Sequence, residues 1–127
     1  MAHQFQKHYT VAEARQLLPE VRQRLQQLVE LRRQLQELDD ILRAQNSTGH
    51  DLGGPRVNRW VKAVAAIKQA VRWFRGAEIQ IKDLDRGLID FPAIIAGREV
   101  FLCWEHDDED IEFWHDLDSG YAGRERL

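Results

Sequence analysis

Cys103 and His115 are the residue types in this 127-residue chain that could form a nucleophile and its base. A thiol is activated only when an imidazole lies within hydrogen-bond reach, so the first question is whether the two share a face. A tight, even-numbered turn at residues 106–109 sets Trp104 opposite Ile111 and Leu102 opposite Phe113. Opposed residues of paired strands share a face. Val100, Leu102, Trp104, Ile111, Phe113 and His115 then fall on one side. Phe101, Cys103, Glu112, Trp114 and Asp116 fall on the other. This register points Cys103 away from His115 and predicts an inert, buried cysteine.

Asp83, Asp85, Asp90, His115, Asp116 and Asp118 offer hard oxygen donors and one imidazole, a set suited to Mg²⁺, Mn²⁺ or Zn²⁺. A centre built from Asp83, Asp90 and His115 requires the loop over residues 83–90 to fold against the end of the last strand. The competing reading has these aspartates bonding their own backbone in turns around Gly87, with Arg86, Arg98 or Arg124 as ion partners. The acidic run at residues 107–110 lacks the glycine and the bidentate acid of a calcium loop, and reads as a solvated hairpin tip. Lys68, Arg72 and Arg75 are candidate anion contacts on a helix that also carries Arg59 and Lys62, with Arg56 just before it. No acid lies between Asp51 and Glu78, and Trp73 could stack on a base. A pI near 5.9 and the lack of a recognisable nucleic-acid module count against a polyanion partner.

The elements that must position these groups change period once. Thr10 and Glu13 have the spacing of a capping box. Apolar residues at 14, 18, 21, 25 and 28, and again at 28, 31, 35, 38 and 42, follow helical spacing. Pro19 predicts a break, giving a short helix over 10–18 and a long one over 19–45. Residues 46–57 form a Gly-rich, flexible connection without the Lys-Ser/Thr ending of a phosphate loop. A second helix over 57–75 carries its stripe on Trp60, Ala63, Val64, Ile67, Ala70, Val71 and Phe74. From residue 78 the alternation has period two, and strands are predicted at 78–82, 88–91 (ended by Pro92), 99–104 and 111–115. The third is apolar on both faces and therefore central. The chain thus reads as a single α+β domain over 1–127. An antiparallel, coiled-coil-like helical hairpin (10–75) precedes a small, mostly antiparallel four-stranded sheet with a C-terminal tail (77–127).

Composition narrows the function classes. With 43% hydrophobic and 31% charged residues the chain is a globular type. Its longest apolar run, residues 63–67, is far below the roughly 20 residues of a membrane span. One cysteine excludes an internal disulfide and suits the cytoplasm, as does an N-terminus without a signal-peptide pattern. Residues 1–82 hold 14 Lys/Arg against 8 Asp/Glu, a net +6; residues 83–127 hold 4 against 13, a net −9. Such halves attract one another within or between chains. Four tryptophans, with Trp73 off its helix stripe and Phe101 and Trp114 on the second sheet face, predict an interface and a homodimer.

Four stretches carry a family resemblance: Lys82-Asp83-Leu84-Asp85-Arg86-Gly87-Leu88-Ile89-Asp90-Phe91-Pro92, Gly97-Arg98-Glu99-Val100-Phe101-Leu102-Cys103-Trp104, Trp114-His115-Asp116-Leu117-Asp118 and Gly120-Tyr121-Ala122-Gly123-Arg124. With the opening Tyr9-Thr10-Val11-Ala12-Glu13-Ala14 through Leu18-Pro19, they resemble the small prokaryotic proteins of domain-of-unknown-function family 2203. The resemblance brings no activity or catalytic residues with it. The residues themselves favour a non-enzymatic cytoplasmic interaction or scaffold module, working as a homodimer on an unidentified protein partner. Its expected functional surface is Asp83, Asp85, Asp90, Trp104, His115, Asp116 and Arg124, and no cofactor is predicted for it. The first alternative is a metal-dependent, hydrolase-like enzyme using Asp83, Asp90 and His115; the second is nucleic-acid binding through the basic helix.

Overall fold

A computed structural model of the chain describes residues 2–47 and 54–127. Two helices, α1 (Val11–Ser47) and α2 (Pro55–Ala77), precede five strands: β1 (Gln80–Asp83), β2 (Leu88–Ile95), β3 (Arg98–Trp104), β4 (Phe113–Asp116) and β5 (Glu125–Arg126). A 3₁₀ turn at Tyr121–Gly123 separates the last two. All neighbouring strands are antiparallel and lie in chain order. This is the expected α+β layout of a helical hairpin and an antiparallel sheet. The sheet has one more strand than the alternation revealed, because β5 is only two residues long. Half of the Gly-rich connection, residues 48–53, lies outside the described residues; of the rest, 46–47 still belong to α1 and 55–57 already to α2.

The chain divides into two units, Met1–Leu25 with Trp73–Leu127, and Gln26–Arg72. In the second, the indole of Trp60 donates to Asp39 Oδ1 at 3.1 Å, and Leu28, Ala63 and Ala70 are buried. Arg33 holds Glu30 and Glu37 on the same helix. These exposed pairs add a few tenths of a kcal/mol each.

The first unit contains the sheet. The amide of Glu13 donates to Thr10 Oγ1 at 3.1 Å and Glu13 Oε1 accepts from the Thr10 amide at 2.9 Å, so the capping box starts α1 as expected. The break at Pro19 does not occur, for α1 passes through it. Losing one amide donor is tolerable where Ala14, Leu18 and Val21 bury the same helix face. Pro92 likewise does not end its strand, since β2 continues to Ile95. β1 pairs only with Leu88, Ile89 and Asp90. The side of Pro92 facing away from β3 meets the amide of Tyr9, which donates to the Pro92 carbonyl at 2.7 Å. A proline there forfeits no bond to β3.

The β3–β4 register differs by one residue from the sequence expectation. Leu102 faces Trp114, Cys103 faces Phe113 and Phe101 faces His115. The link over residues 105–112 is not a tight turn. The Asp108 carboxylate accepts from the Glu105 amide at 3.0 Å, and the Trp104 indole donates to the Asp108 carbonyl at 2.9 Å. Ile111 leaves the ladder and is fully buried. One residue of slip exchanges every side chain between faces. Ile89, Phe91, Leu102 and Trp104 therefore share the face against the start of α1, where Arg22 lies over the Trp104 ring. Asp90, Pro92, Phe101, Cys103, Phe113 and His115 share the other.

Candidate active site

Asp90, Cys103 and His115 come from three adjacent strands. Asp90 lies directly across from Cys103, and His115 is diagonal to it across the β3–β4 pair. Their donor atoms all lie within 4.8 Å of one another. Asp90 and His115 are 2% and 3% exposed and Cys103 is fully buried, so this is a polar cluster inside an apolar sheet. His115 Nδ1 is 2.8 Å from the carbonyl oxygen of Asp116. A carbonyl only accepts, so Nδ1 carries a hydrogen. Nε2 faces both Asp90 oxygens, at 3.0 and 3.1 Å. A bond there requires one proton between ring and carboxylate. Burial raises the Asp90 pKa against the opposing pull of His115 and Lys82. Burial, reinforced by the Asp90 charge, pushes the Cys103 thiol up to about 12. The thiol is thus a donor in the folded protein, not a free nucleophile.

Asp90 and His115 lie at the floor of a cleft of about 310 Å³ bounded by Lys82, Phe101, Leu117, Asp118, Ser119 and Tyr121, and the buried Cys103 is not part of its lining. Lys82 Nζ lies 5.0 Å from the centre of the Phe101 ring. Arg86 and Arg124 both lie over the Tyr121 ring, at 4.4 and 4.2 Å. Arg124 is fixed by Asp108 at 2.9 Å and lies 3.8 Å from the Phe113 ring centre. The C-terminal tail therefore forms one wall of the cleft.

Residues 7–127 match the model of a family described as an uncharacterized conserved protein, DUF2203. The chain belongs to that family. No curated protein and no solved structure matches it. The motifs that carried the resemblance to DUF2203 supply the cluster, since Asp90, Cys103 and His115 each lie in one of them.

Of the other residues singled out in the sequence, Arg124 reaches the Cys103 thiol and Asp118 bounds the cleft, while the rest lie apart from this floor. Asp83 accepts the Arg86 amide at 3.1 Å in the β1–β2 turn and is absent from the metal-capable clusters among the described residues. Cys103 takes the place expected for Asp83, because the register turns it toward His115. Asp85 is exposed in the same turn. Trp104 faces α1, opposite to His115. The Asp116 side chain pairs with Arg98, and only its carbonyl serves the site. Phe101 is 3% exposed beneath Phe5, whose ring centre is 5.4 Å away, so it is not the open aromatic surface expected. Trp73 lies under Arg24 at 4.2 Å, and Trp114 is half-buried. Lys68, Arg72 and Arg75 are exposed along α2. Among the described residues, no helix is long and apolar enough to cross a membrane.

Proposed function

We propose that this protein is a metal-dependent enzyme whose centre is a single Zn²⁺-class ion held by Asp90, Cys103 and His115. The observation that carries the reading is the His115 ring. Its Nδ1–H is locked to a backbone carbonyl, which aims Nε2 at a carboxylate and a thiol in a buried site. That is how metal-binding imidazoles are oriented. Zn²⁺ bonds of about 2.0–2.3 Å put neighbouring donors about 3.5 Å apart, so a cluster spanning at most 4.8 Å need close by only about 1 Å. A mixed N, O, S set favours Zn²⁺ or its neighbours over Mg²⁺ and Ca²⁺. Three protein ligands leave a fourth position for water or substrate, as catalytic centres require. Lys82, Ser119 and Tyr121 bound the cleft in which a small polar substrate would meet it.

The test is native mass spectrometry with elemental analysis on untagged protein purified without chelator. One ion at the buried centre is expected, lost in His115→Ala, together with a thiolate-to-metal absorption band on Co²⁺ loading that Cys103→Ser abolishes. A wild-type protein that shows no such band with excess Co²⁺ would refute the proposal.

A further inference from the structure

The segment before α1 has no regular structure, yet it is fixed at every step. Gln4 and Phe5 amides donate to the two Glu99 oxygens at 2.7 and 3.0 Å. Gln6 and Lys7 amides donate to Glu78 Oε1 at 3.0 and 2.7 Å, and the Tyr9 hydroxyl donates to the Ala77 carbonyl at 2.6 Å. The result is a strap across the sheet face that bears Phe101, with Phe5 on that ring.

We infer that this strap carries a second cation site, formed by His3, His8 and Glu99, which takes a borderline divalent ion such as Zn²⁺, Ni²⁺ or Cu²⁺. One donor atom from each residue lies within 4.8 Å of the other two. His8 Nε2 is 2.7 Å from Glu99 Oε2, and the His3 and His8 rings meet edge-on with centres 5.1 Å apart. Glu99 is held in place by the Gln4 and Phe5 amides, so the carboxylate is positioned before any ion arrives. Those same bonds bring His3 and His8, from either end of the strap, to one oxygen. Two imidazoles and one carboxylate select borderline ions over Mg²⁺ or Ca²⁺. The His8 side chain is 20% exposed and that of Glu99 9%, leaving room for water to complete the coordination. An ion here ties residues 3 and 8 to β3. It thereby secures Phe5 over Phe101, a wall of the cleft.

This site is independent of the buried one, and the test separates them. Untagged wild type, His3→Ala and His8→Ala are titrated with Zn²⁺ under native mass spectrometry. Amide exchange of residues 4–9 is followed with and without the ion. A second bound ion and slower exchange across the strap are expected in wild type, and both are lost in either variant. His3 is exposed, so His3→Ala tests the ligand without disturbing the fold. In both variants the Co²⁺ thiolate band of the buried centre should persist. A second ion that survives His3→Ala, or strap exchange unchanged by Zn²⁺, overturns the inference. A single ion lost in His3→Ala, with no thiolate band in wild type, sustains this site and sinks the buried one.

Discussion

Metal entry at Asp90, Cys103 and His115 should release two protons per ion, a number fixed by the geometry. The Cys103 thiol is held protonated, with its pKa near 12. Because Nδ1 of His115 must donate to the Asp116 carbonyl, the pair formed by Nε2 and the Asp90 carboxylate contains one more proton. Coordination needs a thiolate, a free ring nitrogen and a carboxylate, so both protons must leave. Affinity therefore rises with pH, by about a hundredfold per unit while both protons remain bound in the metal-free form. In free energy that is about 2.7 kcal/mol per pH unit. Calorimetric titration with Zn²⁺ near neutral pH, repeated in buffers of different ionisation enthalpy, counts the protons directly. His3→Ala is the protein to use, so that the strap site does not add to the heat. Two protons are expected, and one in Cys103→Ser, where the hydroxyl stays protonated. A count of one or none in the protein with Cys103 intact would refute the assignment of the shared proton, of the thiol as a ligand, or of both.

Two further outcomes concern the stability of the fold around the site. In metal-free protein, the unfolded thiol ionises near 9.0 but the folded one near 12, so the folded state binds the extra proton and stability falls as pH rises through that window. The loss approaches roughly 4 kcal/mol at the top of it, and denaturant titrations across the window should show that slope in wild type but not in Cys103→Ala. Gly87 has φ +62°, and a Cβ there would lie 2.8 Å from the His106 Cβ. Gly87→Ala should therefore cost about 2 kcal/mol, read from the denaturation midpoint, and an unchanged midpoint would show that the turn gives way freely.

What could be read from the sequence was whatever repeats locally. The capping box of Thr10 and Glu13, the stripe through Trp60, Ala70 and Phe74, and the doubly apolar β3 each announce themselves within a few residues. The site did not, because it depends on the parity of one loop. An even turn puts Cys103 and His115 on opposite faces; the observed loop, closed by Asp108 and the Trp104 indole, puts them on the same face. Asp108 was the available signal, since a loop aspartate three residues on can accept the Glu105 amide and close a wider loop than a tight turn. The strap was illegible for another reason. Its bonds join residues 68 to 95 positions apart, and Glu78 and Glu99 carry no local sign that they hold backbone amides. Phe101 looked like open surface for want of that strap. Pro19 and Pro92 looked like breaks because their cost is judged locally, whereas the burial and the free edge that absorb it are tertiary.

The position of Pro92 has a consequence for self-association. Beyond Asp90, β2 has no β1 partner, and the strap meets that edge through the bond from the Tyr9 amide to the Pro92 carbonyl. An uncovered strand edge is a template on which other chains polymerise. Of the two outward-facing positions beyond Asp90, Pro92 is an imino acid, so a foreign strand finds only an acceptor there and a donor only at Ile94. With one of its two outward donors missing, this edge is a poorer template for fibre growth than an ordinary strand.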